Sequence, residues 1–244
     1  MGMTEESKID AQIWPARRAA WELLALSFRY PDAVLVDAVV SGEWVEAACE
    51  IAAVLGVFLP EGFGSDLAGV DGRPRTISGE EVEAAGSSDT PDASAVLHEL
   101  RAEATRLFVG APEPVVSPYE GVHRAAADGV QALLFVNPHS MEVERFMKSC
   151  GLGRPVGTNE PLDHVSTECE LLMHLAIQAA GAPAPESAPQ SEKLPGGSPA
   201  AAYEQFLSEH ARVWMPAFAA RVRDESRDPF FRAAAEWLDA VIGD

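Results

Sequence analysis

Asp163 and His164 stand side by side, and Glu168 follows His164 by four residues, within Asn159-Glu160-Pro161-Leu162-Asp163-His164-Val165-Ser166-Thr167-Glu168. These residue types at this spacing offer three chemistries. A carboxylate beside an imidazole raises the imidazole pKa and can form an acid–base dyad. His164 and Glu168, at i and i+4, share a helix face at a spacing two metal ligands can use. A set of carboxylates, here Glu160, Asp163 and Glu168 together with Glu120 earlier in the chain, can hold a guanidinium by paired charge-assisted hydrogen bonds. The first two chemistries lack their remaining parts. There is no H-E-x-x-H, no third ligand at a recognisable spacing, and no G-x-S-x-G to supply a nucleophile. No catalytic and no metal residue is therefore assigned, and a small hydrolase using Asp163 and His164 is kept as the reading from a different class. Lys8, Lys148 and Lys193 do not follow a glycine and there is no G-x-G-x-x-G, so no phosphate-cradling loop is present.

The elements that must position these groups are helical. Pro161 fixes a turn, Asp163 is placed to cap a helix N-terminus with its carboxylate, and Val165, Cys169, Leu172, Met173, Ala176 and Ala180 recur at helical spacing as an inward stripe. His164 and Glu168 fall on another face, and His174 is placed for a solvated pair with Glu170 one turn earlier. Upstream, the same periodicity predicts helices over 11–30, 32–40 and 43–58, with Trp21 and Trp44 as core residues. Residues 61–91 are rich in Gly, Ser, Asp and Glu and read as a long surface loop with at most a short helical piece over 80–85. A helix from Asp92 or Ser94 to Phe108 ends at Gly110, Pro112 and Pro114. Residues 122–135 read as a buried helix, with a strand as the alternative, and Asn137 or Ser140 caps a helix over 141–150. The tract 181–199 is a Pro/Ala/Ser/Gly linker between a main region, 1–180, and C-terminal helices, 200–244, that pack on the same bundle. In that last region Tyr203, Phe206, Leu207, His210 and Trp214 share one face, Pro216 suits the first turn of a following helix, and 229–242 is the last helix. The fold class is all-α.

Composition narrows the partners. The chain has 244 residues, 47% hydrophobic and 23% charged, enough for a sizeable core. Its 38 acidic against 18 basic residues give a net charge of −20, which disfavours phosphate backbones and favours a cationic partner or simply solubility. The three cysteines, Cys49, Cys150 and Cys169, are far apart and fit a reducing compartment. The first ten residues are polar and acidic rather than basic then apolar, and no run of about 18 apolar residues occurs, so a cytoplasmic protein without an integral membrane segment is expected.

Three separated stretches together carry a resemblance. Glu160-Pro161-Leu162-Asp163-His164, followed by Glu168 and Leu171-Leu172-Met173, is similar to the E-P-x-D-H signature of the TorD/DmsD family of cytoplasmic chaperones for molybdenum-containing redox enzymes. Leu107-Phe108 and Pro118-Tyr119-Glu120 resemble that family's aromatic-x-x-Leu-Phe helix end and its Pro-aromatic-Glu loop, although Ala104 stands where the family has an aromatic. Phe206-Leu207, His210, Trp214, Pro216 and Phe218, then Asp228-Pro229-Phe230-Phe231, resemble its C-terminal region. The resemblance implies a helical bundle of two halves with the motif near their junction. It also implies a chaperone that binds the twin-arginine signal peptide of a molybdoenzyme catalytic subunit and protects the apoenzyme until cofactor insertion and export. No cofactor of its own is implied, beyond the weak association with guanine nucleotides reported for some members, and the oligomeric form is a monomer or a domain-swapped dimer. A nitrate-reductase-type assembly factor docking on a mature subunit is the neighbouring alternative. The peptide-binding residues would be Leu107, Phe108, Pro118, Tyr119, Glu120, Glu160, Pro161, Asp163, His164 and Glu168. Carboxylates would take the arginines, and the apolar members would wall the segment behind them. Leu107 and Phe108 read equally well as core packing at a helix end.

The charge argument yields a measurable expectation. Exposed ion pairs are screened beyond about 8 Å at physiological ionic strength, so affinity for a twin-arginine peptide should fall as salt rises in a fluorescence titration. A dissociation constant unchanged by salt would assign the acidic excess to solubility alone.

Overall fold

Helix boundaries follow local chemistry closely. In a computed structural model, which describes residues 5–67, 92–130, 137–153, 161–182 and 193–243, α1 spans Glu5–Phe28 and gives way at Pro31 to α2, Ala33–Ser41. Asp32 caps α2 by accepting from Leu35 N at 3.1 Å. Gly42, at φ 84°, ends α2 and starts α3, Glu43–Leu55, in a left-handed conformation that only glycine adopts without cost. Gly56 ends α3 in the same way, three residues before the expected stop at Leu59-Pro60. The N-terminus of α4, Ala93–Ala104, is capped by Asp92. The short helical piece expected over 80–85 lies outside the described residues.

Two helices widen into a π turn, Thr105–Val109 after α4 and Leu207–Ala211 between α8, Pro199–Phe206, and α9, Arg212–Glu225. Pro216 lies inside α9 rather than opening a new helix. Proline cannot donate to the carbonyl one turn back, and the widened turn lies immediately upstream of that break. The expected helix over 122–135 starts earlier and stops sooner: α5 is Glu120–Ala127, and Gly129 turns the chain at φ 71°. Residues 131–136 lie outside the described set. Asn137 caps α6, Pro138–Ser149, with Pro138 in its first turn. The long α7 is Val165–Ala179, and α10, Pro229–Ile242, closes the chain under an Asp228 cap. Part of the expected linker is structured: Leu194 is buried and Ser198 caps α8.

The apolar stripes of these helices meet in one core. The most extensive contact is between α1 and α7, followed by α9 with α10. Trp21, Trp44, Trp214, Trp237, Phe206, Phe218, Phe230 and Phe231 are fully buried within it. Trp21 Nε1 donates to Tyr203 Oη at 2.8 Å and Trp44 Nε1 to Ser27 Oγ at 3.0 Å, so these two indoles are buried with their polar ends satisfied. Among the described residues there is no strand; Tyr119 and His164 form an isolated antiparallel bridge. The C-terminal helices pack on the main bundle, α8 against α7 and α10 against α1.

A second tie fixes the approach to α10. Glu103, buried on α4, accepts from Arg106 Nε and Nη2 at 2.8 Å each and from Arg227 N at 2.7 Å, while Arg106 also donates to Glu225 O. Burial opposes its charge, but the Arg106 and Arg227 hydrogen bonds outweigh burial and hold the carboxyl below its usual range. The core itself can be tested at α7. Leu172 is completely buried, so Leu172→Ala should lower stability by about 2–5 kcal/mol, read as a shift of the urea midpoint with an unchanged slope.

Candidate functional site

The loop before α5 and the loop before α7 run together as a short antiparallel pair. Glu120 N donates to Asp163 O at 2.9 Å and Val165 N to Pro118 O at 2.9 Å, which seats Pro118-Tyr119-Glu120 directly on Pro161-Leu162-Asp163-His164. The Tyr119 and His164 rings meet edge to face, centroids 5.3 Å apart, and both are half-buried. Two stretches 44 residues apart in number, Tyr119 to Asp163, thus share one small platform.

Capping follows a different assignment from the one expected. His164, not Asp163, caps α7: its Nδ1 accepts from Ser166 N at 3.2 Å and also meets Ser166 Oγ at 2.8 Å. Accepting at Nδ1 places the neutral ring's proton on Nε2. Asp163 points the other way. Its Oδ2 accepts from Gly121 N at 2.9 Å and from Ser140 Oγ at 2.6 Å, so it ties α7 to the first turns of α5 and α6. Asp163 and His164 therefore do not form an acid–base dyad here, because each carries its hydrogen bonds to a different element. Gly121 is required at this junction, since a Cβ there would collide with Ser140 Oγ and the Asn137 amide. Asn137 completes the joint by donating to Gly121 O at 2.6 Å while capping α6.

Behind the platform lies a buried charge cluster. Glu120 and Glu168 are both 0% exposed and Asp163 is 1% exposed, so none of the three carboxylates expected to meet a peptide arginine reaches the surface. Helix geometry explains Glu168: α7 is enclosed on most sides, and the face expected to be polar and outward looks onto α9. There Trp214 Nε1 donates to Glu168 Oε2 at 2.9 Å. Glu120 receives Arg124 Nη1 at 2.7 Å and lies 3.0 Å from His210 Nδ1, with the Glu168 carboxyl near enough to act on its charge. Burial opposes the Glu120 charge, but His210, Arg124 and Glu168 outweigh it and hold the carboxyl below its usual range. Glu168 responds in the opposite direction: burial, then the Glu120 charge, push its carboxyl well above the usual range, which favours its protonated form. Burial also raises Asp163, partly offset by Ser140 and Gly121 N. Among the described residues no three His, Cys, Asp or Glu side chains stand in a metal-holding arrangement.

The apolar members of the expected set are core residues. Leu107 is fully buried, Pro118 and Pro161 are buried, and Phe108 packs in an aromatic cluster with Phe28, Phe218 and Phe231. Glu160 lies outside the described residues. His174 bonds Gln178 at 2.7 Å instead of pairing with Glu170. Sequence reasoning missed Arg124, Ser140 and Asn137 as members of the joint, and saw His210 and Trp214 only as part of a buried face. Polar His210 on an otherwise apolar stripe was the available signal, because a buried imidazole requires a partner.

The cluster has a stability signature. Glu168 has a folded pKa raised above its unfolded value, so its contribution is complete below the unfolded pKa and is lost as pH rises through the folded one. Glu120 is depressed, so its contribution is present above its unfolded pKa and is lost as pH falls. Wild-type Tm should therefore decline as pH rises from the unfolded carboxyl value towards the raised folded one, whereas Glu168→Gln, neutral and able to accept from Trp214, should flatten that decline. A decline identical in both proteins, recorded by circular dichroism, would place the loss elsewhere.

A chaperone protein TorD from Vibrio cholerae serotype O1 (strain M66-2) is 31% identical over 144 residues, covering 59% of each chain. A TorD from Escherichia coli O6:H1 is 25% identical over 144 residues, covering 59% of this chain and 60% of its own. The match thus spans about 59% of the length of these curated relatives. A solved structure described as a redox enzyme maturation protein, from Archaeoglobus fulgidus, is similar over 90% of both chains at a TM-score of 0.49 and 19% identity. A family model described as nitrate reductase delta subunit matches residues 80–220, which contain the paired loops, the buried cluster and the π turn at 207–211, and the chain belongs to that TorD-like family.

Proposed function

We propose that this protein is a cytoplasmic maturation chaperone that binds the twin-arginine signal peptide of a molybdenum-cofactor oxidoreductase subunit and protects the apoenzyme until cofactor insertion and export. The observation that carries the reading is convergence. Residues 118–120, 161–168 and 206–214, remote in sequence and each matching the family pattern, meet around one buried cluster beneath a half-exposed Tyr119–His164 platform. In this reading Tyr119 and His164 touch the client. Glu120, Asp163 and Glu168 act through them by holding α5, α6, α7 and α9 together, and Leu107, Phe108, Pro118 and Pro161 support the platform from within. Glu160, which precedes the motif, belongs to the same proposed set. Among the described residues no helix is long and apolar enough to cross a membrane.

The family model's description favours a second reading, an assembly factor that docks on a folded nitrate-reductase-type subunit. The two differ in what the client must carry. A synthetic leader bearing two arginines should bind in isothermal calorimetry, and replacing both by lysine should weaken it at least tenfold, because lysine cannot make paired planar hydrogen bonds. Binding indifferent to the leader, with capture of the mature subunit lacking it, would select the assembly factor.

A further inference from the structure

Beside the buried cluster, α6 and the π turn at 207–211 enclose an open cavity of about 560 Å³, lined by Arg124, Glu142, Arg145, Phe146, Glu209 and His210 among others. Its inner wall is His210, 5% exposed, whose Nδ1 is held on Glu120 and whose Nε2 edge has no hydrogen-bond partner among the described residues. Directly behind Arg124 lies fully buried Glu120. Arg124 therefore already occupies a guanidinium seat: Nη1 is 2.7 Å from Glu120 Oε1 and 3.5 Å from the main-chain oxygen of Glu209. Its side chain is partly exposed, and a second carboxylate, Glu142 on α6, stands 3.9 Å from the same nitrogen with 45% of its side chain in solvent.

We propose that Arg124 is an internal stand-in for a client arginine: its guanidinium can leave buried Glu120 for Glu142, and the vacated seat, walled by His210 and Phe146, takes a guanidinium from outside. Charge supports a cation over an anion. Three carboxylates, Glu120, Glu142 and Glu209, meet the guanidiniums of Arg124 and Arg145 and the His210 ring, whose charge when protonated adds to theirs, so the preference rests on the solvent-exposed carboxylates Glu142 and Glu209 and on the chain's net charge of −20. Arg145 also lines the cavity, and its Nε donates to Met141 O at 3.1 Å, one turn back on its own helix. Exchange of one guanidinium for another leaves Glu120 paired in both states, so a buried carboxylate is never stripped of its partner, the costly event in such a site. Phe146 lies 5.1 Å from Phe206 and 6.0 Å from His210, which gives the cavity an aromatic wall for the incoming stem. This inference rests on the reading that client arginines are recognised, and it places that recognition next to the platform instead of on the platform carboxylates.

An incoming guanidinium must displace the resident one, so apparent affinity is lowered by the seat's preference for Arg124. Arg124→Ala should therefore bind N-acetyl-arginine amide, followed by shifts of the His210 ring signals in NMR, roughly tenfold more tightly than the wild type. Glu142→Gln, a surface change that removes the alternative perch, should weaken binding of the same probe in the otherwise native protein. If Arg124→Ala does not fold, the Glu142→Gln titration alone decides, and equal affinity to wild type would overturn the exchange. Equal or weaker probe binding by a folded Arg124→Ala overturns it as well. Probe binding that follows the expected order while the leader peptide fails to bind either protein would sustain the exchange and remove the client reading.

Discussion

A carboxylate that is fully buried must be answered by hydrogen bonds or opposite charge, and this requirement at Glu120 governs the arrangement around it. Its answer comes from three elements: Arg124 one turn along α5, His210 in the π turn before α9, and Glu168 on α7. Moving any one of these groups takes away part of what holds the Glu120 charge down. Burial, and after it the Glu120 charge, push the Glu168 carboxyl up, while Trp214 donates to its Oε2. Two adjacent carboxyls are thus shifted in opposite directions, and four helical segments meet around them.

Asp163 performs the corresponding task for the loops. By accepting from Gly121 N and Ser140 Oγ it draws the starts of α5 and α6 to the start of α7, and the main-chain pairing of 118–120 with 163–165 adds directional bonds. The exposed part of the platform, Tyr119 and His164, is held by groups that never see solvent. A family motif made of acidic residues is here mostly an internal fastening. Around the cavity, the carboxylates with solvent exposure are Glu142 and Glu209.

Much of the fold was legible because its causes are local. Asp32, Asp92, Asn137 and Asp228 cap helices where short polar residues precede apolar periodicity, whereas Ser198 caps α8 inside the expected linker and Gly56 ends α3 before the expected stop. The stripe on α7 and the face shared by Tyr203, Phe206, Leu207, His210 and Trp214 were legible for the same reason. The site was less so. Asp163 and His164 are both competent caps, and only the position of Gly121 and Ser140, about 40 and 20 residues away in sequence, decides between them. Glu168 looked solvent-facing because periodicity reports the most apolar face of a helix and is silent about a helix enclosed on nearly every side. Arg124 carried no signal, since an arginine four residues after a glutamate is ordinarily a surface pair.

The π turn between α8 and α9 has a further geometric effect. Ala202, Phe206, His210, Trp214, Phe218 and Val222 follow one another every four residues and all are buried. On a regular α-helix a four-residue step advances about 400°, so such a series would wind about 40° per step and travel roughly 200° around the axis from first to last. The one extra residue accommodated by a π turn takes back about 100° of that drift. The chain between Pro199 and Glu225 can therefore face a single core with a spacing too long for an ordinary helix, and the widened turn that corrects the phase is the same turn that carries His210 to Glu120.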